Sequence, residues 1–182
     1  MKQFIIIIIF SVFFTFPVKA NEQQKQLEKL FNDLKVDNFS LANAVEQEIW
    51  KVWSTHPNSK DLTMMLTLGS DFVNNNQYPK AVEIFTKVIE LDPSWAEAWN
   101  KRATVLYMMG EFEKSQKDID EVLKLEKRHF GALAGQGLVN IKLENYEKAI
   151  MSYEEAMKIY PSMNSPKIMI KEIKELIKNQ SI

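Results

Sequence analysis

Between Leu62 and Met163 the apolar positions fall into short helical stripes, and the stripes come in pairs. Small residues recur at one constant interval, at Gly69, Ala103 and Gly137. Ala81, Ser115 and Ala149 keep that interval, as do the aromatics Tyr78, Phe112 and Tyr146 and the large residues Phe85, Ile119 and Tyr153. A period of about 34 residues, with small residues at two fixed phases, predicts stacked helical hairpins. In the first unit Asp61 is placed to cap a helix over 62–73, Asn74-Asn75-Asn76 makes the turn, and a second helix runs to about Glu90 before Pro93. In the second, Ser94 and Glu97 have capping-box spacing, and Gly110 suits a left-handed helix end. The third opens near Phe130, turns at Glu144-Asn145 and closes at Pro161.

The small residues have a packing purpose, since helices approach to about 8–10 Å only where their side chains permit it. Gly69, Ala103 and Gly137 are expected to face Ala81, Ser115 and Ala149, with Phe85, Ile119 and Tyr153 filling the wedge toward the next hairpin. Arg102 stands where its neighbours have Leu68 and Gln136, facing inward, so it needs a partner.

Outside the repeats, Leu27, Leu30, Phe31 and Leu34 mark one helix face. A second helix puts Leu41, Val45, Ile49, Val52 and Trp53 inward and Glu46, Glu48 and Lys51 outward. His56 to Ser59 ends it. These helices match no repeat phase, and are expected to cover the first repeat's open apolar face. Trp50 and Trp53 read as core, with a partner site as the alternative. After Met163, Ser165-Pro166 starts a last helix. Met169, Ile173, Leu176 and Ile177 form its apolar face and Lys171, Lys174, Glu175 and Lys178 its polar one.

Lys2, the apolar run from Phe4 to Phe16 and Val18-Lys19-Ala20 have the layout of a leader cut after Ala20. The run is shorter than the roughly 20 residues of a spanning helix, although an uncleaved anchor is the other reading. Cleavage removes Lys2 and Lys19, two of 23 basic residues, and none of the 24 acidic ones, taking the net charge from −1 to −3. A periplasmic or secreted chain with no stable membrane insertion after cleavage follows. The acidic balance argues against nucleic acid. With no cysteine, a thiolate metal site or Cys nucleophile is ruled out. His56 and His129 have no metal-ligand spacing, Lys124 to His129 reads as a solvated link, and no cofactor or catalytic motif is present.

Residues 62–163 resemble the tetratricopeptide repeat (TPR) family, whose pattern is Trp-x2-Leu-Gly-x2-Tyr, Ala-x3-Phe, then Pro. Leu68-Gly69-x2-Phe72, Ala81-x3-Phe85 and Pro93 carry it in the first repeat. Gly137, Ala149-x3-Tyr153, Ala156 and Pro161 carry it in the third, and Trp99 and Ala103 in the second. Trp99 to Leu106 and Arg128 to Gly137 are similar to small exported bacterial members. The resemblance implies an all-α, right-handed superhelix. A leader (1–20) and a helical hairpin (21–61) would precede three repeats (62–95, 96–129 and 130–163) and a capping helix (164–182). It also pairs Arg102 with Asp118. It implies a concave wall of Thr63, Leu66, Ser70 and Val73, then Glu97, Asn100, Thr104 and Tyr107, then Gly131, Ala134, Leu138 and Ile141. Such walls hold a peptide or helix. Of these, Leu66, Ser70, Val73, Asn100, Thr104, Tyr107, Leu138 and Ile141 are the candidate binding residues. The alternative is that several pack against the flanking helices. The family's carboxylate grip is missing, because Leu66, Ser70, Gly131 and Gly135 stand in its places. The expected function is a non-catalytic scaffold for a protein or peptide partner, or alternatively a self-assembling envelope component.

Overall fold

The computed structural model describes residues 18–36 and 38–180. The leader over residues 1–17 lies outside them, and the expected cut after Ala20 falls in the first turn of the first helix. Among the described residues the chain is all α: α1 (Val18–Asp33), α2 (Phe39–Trp53), α3 (Lys60–Asn74), α4 (Tyr78–Leu91), α5 (Ala96–Met108), α6 (Phe112–Leu125), α7 (Phe130–Lys142), α8 (Tyr146–Ile159) and α9 (Asn164–Gln180). No described helix is long and apolar enough to cross a membrane. The pairs α3–α4, α5–α6 and α7–α8 are antiparallel hairpins, each stacked on the next, and α9 closes the series on α8.

The period appears in the backbone as well. Asn76, Gly110 and Glu144 keep the same interval and are the only described residues with positive φ, at 56°, 79° and 59°. Each ends the first helix of its hairpin with the same pair of bonds. Gln77 N–H reaches Phe72 C=O and Asn76 N–H reaches Val73 C=O; Glu111–Leu106 with Gly110–Tyr107, and Asn145–Asn140 with Glu144–Ile141, repeat it. This double bond pattern around a left-handed residue satisfies carbonyls that the helix end leaves open.

Helix starts differ from expectation. Ser59, not Asp61, caps α3, its Oγ accepting from Leu62 N–H. The capping box at Ser94 does not form: Trp95 precedes α5, Ser94 Oγ donates to Asp92, and Glu97 turns inward. The last helix begins at Asn164, ahead of Pro166.

Within the hairpins, small residues meet large ones of their own unit. A Cβ on Gly69 would lie 2.3 Å from the Phe85 ring, and one on Gly137 2.5 Å from Tyr153. The rings therefore lie over the glycines instead of filling a wedge between hairpins. Ala81 and Ala149 are fully buried beside these rings. In the second hairpin Ser115 Oγ donates to Ala103 C=O at 2.8 Å, so the two helices touch directly there.

The N-terminal hairpin does not cover the first repeat. Leu27, Phe31, Leu34, Ala42, Ile49, Val52 and Trp53 form one core with Phe130 of α7 and Tyr160 after α8. It folds back along the edge where α3, α5 and α7 begin. His56 N–H donates to Thr63 Oγ1, and Trp95 Nε1 donates to Trp53 C=O. Leu41 is exposed and Ala42 takes the inward place. Glu46, expected outside, accepts from Trp50 Nε1 and from the Tyr160 hydroxyl. Burial, with the adjoining carboxylate, pushes the Tyr160 hydroxyl up to about 12.

Candidate functional site: a groove closed at one end

The first helix of each hairpin lines one wall, and the structure divides the candidate residues between an open and a closed end. Ser70, Val73, Tyr107 and Ile141 are half-buried, while Thr104 and Leu138 are exposed. Together with Trp50, Asn74 and Lys101, Ser70, Val73 and Thr104 bound a cavity of about 310 Å³. Thr104, Tyr107 and Leu138 line a smaller one of about 70 Å³ beside it. Asn100 lies between the two at 8% exposure, its amide donating to Glu97. Leu66 is 2% exposed and belongs to the first repeat's core with Phe85 and Val88, so it is not groove surface. Ile141 and Tyr107 also lean on core neighbours, Tyr107 with its ring 5.5 Å from Phe112.

Trp50 closes the other end. Its ring would stand 2.4 Å from a Cβ on Gly131, so that glycine is required for α2 to lie where it does. Behind it sits a polar pair whose members the sequence pattern puts in a solvated link and on an open wall. His129 and Glu97 are 0% and 1% exposed, with Nε2 and Oε2 3.1 Å apart. His129 Nδ1 accepts from Ala132 N–H at 3.0 Å and caps α7, so the ring is the Nε2–H tautomer and donates to Glu97. Trp53 stacks on the imidazole, 4.0 Å between centroids and 6° from parallel. Burial pushes the Glu97 carboxyl up. The hydrogen bond from His129, Lys101 at 3.3 Å and the Asn100 amide outweigh that and hold its pKa below the ordinary value of 4.5. The flanking link is only partly solvated: Lys124, Leu125 and Lys127 are exposed, but Arg128 pairs with Glu126 and Glu28, and its guanidinium lies 4.3 Å from the Phe31 ring centroid.

Arg102 makes two bonds to Asp118, Nε to Oδ2 at 2.7 Å and Nη2 to Oδ1 at 2.8 Å. Its Nη1 donates to Thr86 Oγ1 of the preceding hairpin, and its plane lies 5.0 Å from Trp99. The pair thus ties two repeats together on the side away from the groove.

A larger hollow, about 560 Å³, lies on the opposite face of α7 among Gln116, Gln136, Asn140, Lys148 and Glu155. Its amides serve one another and Ser152, and it holds none of the wall residues. Among the described residues no cluster of three or more His, Asp or Glu could hold a metal ion.

The geometry defines a class: paired helices of fixed length, repeated at a constant interval and stacked side by side. The chain belongs to the tetratricopeptide repeat family. It is 30% identical over 144 residues to a TPR repeat-containing protein of Rhizobium etli, covering 79% of this chain and 70% of that one. The family model for anaphase-promoting complex, cyclosome, subunit 3 matches residues 73–156. Hsp70-Hsp90 organizing protein 1 of Glycine max is 26% identical over 94 residues, which is 52% of this chain but 16% of that protein. Among solved structures, the first TPR of Spaghetti (RPAP3) bound to the HSP90 peptide SRMEEVD superposes with a TM-score of 0.64, at 18% identity over 66% of this chain and 96% of that one. The crystal structure of MamA gives 0.61, at 21% identity over 84% and 82%.

Proposed function

We propose that this chain is a non-catalytic protein-interaction scaffold that holds a short peptide segment or helix end in the open part of its groove. The observation that carries this is the set Ser70, Val73, Thr104, Tyr107 and Leu138, which stays accessible around two adjoining cavities while Trp50 covers Gly131 and Leu66 is buried in its own repeat. A solved domain of the same fold bound to the peptide SRMEEVD supports such a use of the groove. Here the ligand is not gripped by its carboxylate. Ser70 spends its hydroxyl on Leu66 C=O, Gly131 lies under Trp50, and Gly135 has only Ile119 beside it.

Recognition then rests on apolar side chains against Val73, Tyr107 and Leu138, each burial contributing roughly 1.5–3 kcal/mol when complete. Thr104 Oγ1 donates to Asn100 C=O and the Asn100 amide to Glu97, so at the centre these two offer acceptor oxygens to a ligand. The leader pattern supports export to the periplasm or beyond, where the partner would be met. Partner capture by wild type, Asn100→Ala and Tyr107→Ala tests the reading. Both variants fold and retain less partner; equal recovery by both would remove the groove from the account.

A further inference from the structure

The N-terminal hairpin leaves the outer face of α3 uncovered, and that face has the composition of a buried one. Met64 is 62% and Leu68 44% exposed. In the second and third repeats the Met64 phase is occupied by Ala98 and Ala132, both buried against the hairpin before them. The outer face of α3 is therefore the stacking face of the series, and no hairpin among the described residues stacks on it. The terminal unit of a stack ordinarily presents a polar surface there. A methionine also fills the space that alanine leaves for a closely approaching helix, so no second helix of a hairpin stacks on α3 in the way α4 stacks on α5 and α6 on α7.

We propose that a second copy of this chain covers it, α3 against α3, antiparallel about a two-fold axis. Charge placement favours this occupant. Lys60 and Asp71, both exposed, are separated by roughly three whole helical turns, and so lie on one face at opposite ends. Antiparallel pairing about an axis between residues 65 and 66 sets Lys60 of each copy opposite Asp71 of the other. It brings Met64 against Thr67 and lays Leu68 beside them, and a two-fold contact is self-complementary in this way. The outer face of α9 fits less well. Lys167, Lys171, Lys174 and Lys178 crowd one side of it, and its exposed Ile168 and Leu176 stand more than two helical turns apart, unlike the adjacent Met64 and Leu68. The proposal is independent of what the groove binds.

Because the chain has no cysteine of its own, Thr67→Cys in the full-length chain reports the contact directly. Oxidation should give a disulfide-linked dimer well above the yield of Met151→Cys or Lys174→Cys, two exposed positions elsewhere. In the Thr67→Cys background, Lys60→Asp alone and Asp71→Lys alone reverse two symmetry-related contacts at once. Each should slow cross-linking roughly tenfold, and the two together should restore it. Circular dichroism of each variant checks that the helices persist. Cross-linking at position 67 no better than the controls would overturn the proposal. So would failure of the double charge reversal to recover, or preferential linkage of Thr67→Cys to Lys174→Cys in a mixture, which marks a head-to-tail contact.

Discussion

Trp53, at the end of α2, lies flat on His129, the residue that caps α7, with their rings 4.0 Å apart. That contact decides where the N-terminal hairpin sits. It also buries the His129–Glu97 pair, because the imidazole has one face on Trp53 and its edge toward Trp50 at 5.5 Å. Trp53→Ala should cost about 3–5 kcal/mol and release the hairpin from α7. Thermal unfolding and near-ultraviolet circular dichroism measure the two effects; an unchanged aromatic signal would mean the stack does not hold the hairpin.

Glu97 makes stability depend on acid. Its folded pKa is depressed, so its contribution is present above the ordinary value of 4.5 and is lost as pH falls through that value and below. The amide of Glu97→Gln still accepts from His129 but cannot titrate. Melting temperatures from pH 7 to pH 3 should therefore fall less steeply in Glu97→Gln than in wild type.

Arg102→Ala strands Asp118, a buried carboxylate, and should destabilise by about 3–5 kcal/mol. Arg102→Lys rescues only partly, since an ammonium cannot span both carboxylate oxygens and Thr86. The melting temperature should drop by about 2–4 °C for each kcal/mol lost. An unshifted transition in Arg102→Ala would show that the pair carries no net stability.

Gly137→Ala forces a methyl group into the Tyr153 ring and should cost about 1–3 kcal/mol by overpacking. Combined with Tyr153→Leu it should cost less than the sum, because the clash is then relieved. Chemical denaturation of the two singles and the double measures that coupling.

Glu144 is held at φ 59° where its counterparts are Asn76 and Gly110. Glu144→Gly removes the penalty of a side chain in the left-handed region, about 1 kcal/mol, and should raise the melting temperature. Gly110→Ala should lower it by a similar amount, although nothing lies within 4 Å of its missing Cβ.

The repeat itself was legible because Gly69, Ala103 and Gly137, and the turns at Asn76, Gly110 and Glu144, follow from local spacing. That Arg102 needs a counter-charge was legible from its inward phase, and the resemblance to the repeat family implied Asp118 as the partner. The position of the N-terminal hairpin was not legible. It is set by Trp50 meeting Gly131 and Trp53 meeting His129, contacts between segments with no common period. The same blindness hid the Glu97–His129 pair: Glu97 has capping-box spacing, and His129 sits in a charged run. A cue existed in Gly131, a glycine inside a helix at a position otherwise costly for one. It signals a close approach without naming what approaches. The groove residues were legible as a wall, but which of them remain open depends on Trp50 over Gly131 and on the packing that buries Leu66 with Phe85.

The direct measurement is a map of ligand contact on the folded chain. Peptides selected for binding from a displayed random library should cross-link to a photoreactive residue at Thr104 or Leu138 and not to one at Met151 on the back of the stack. Their affinity should fall at least about tenfold in Leu138→Arg and stay unchanged in Met151→Arg. Peptides that cross-link at Met151, or that bind Leu138→Arg as tightly as wild type, would contradict a groove held open for a partner.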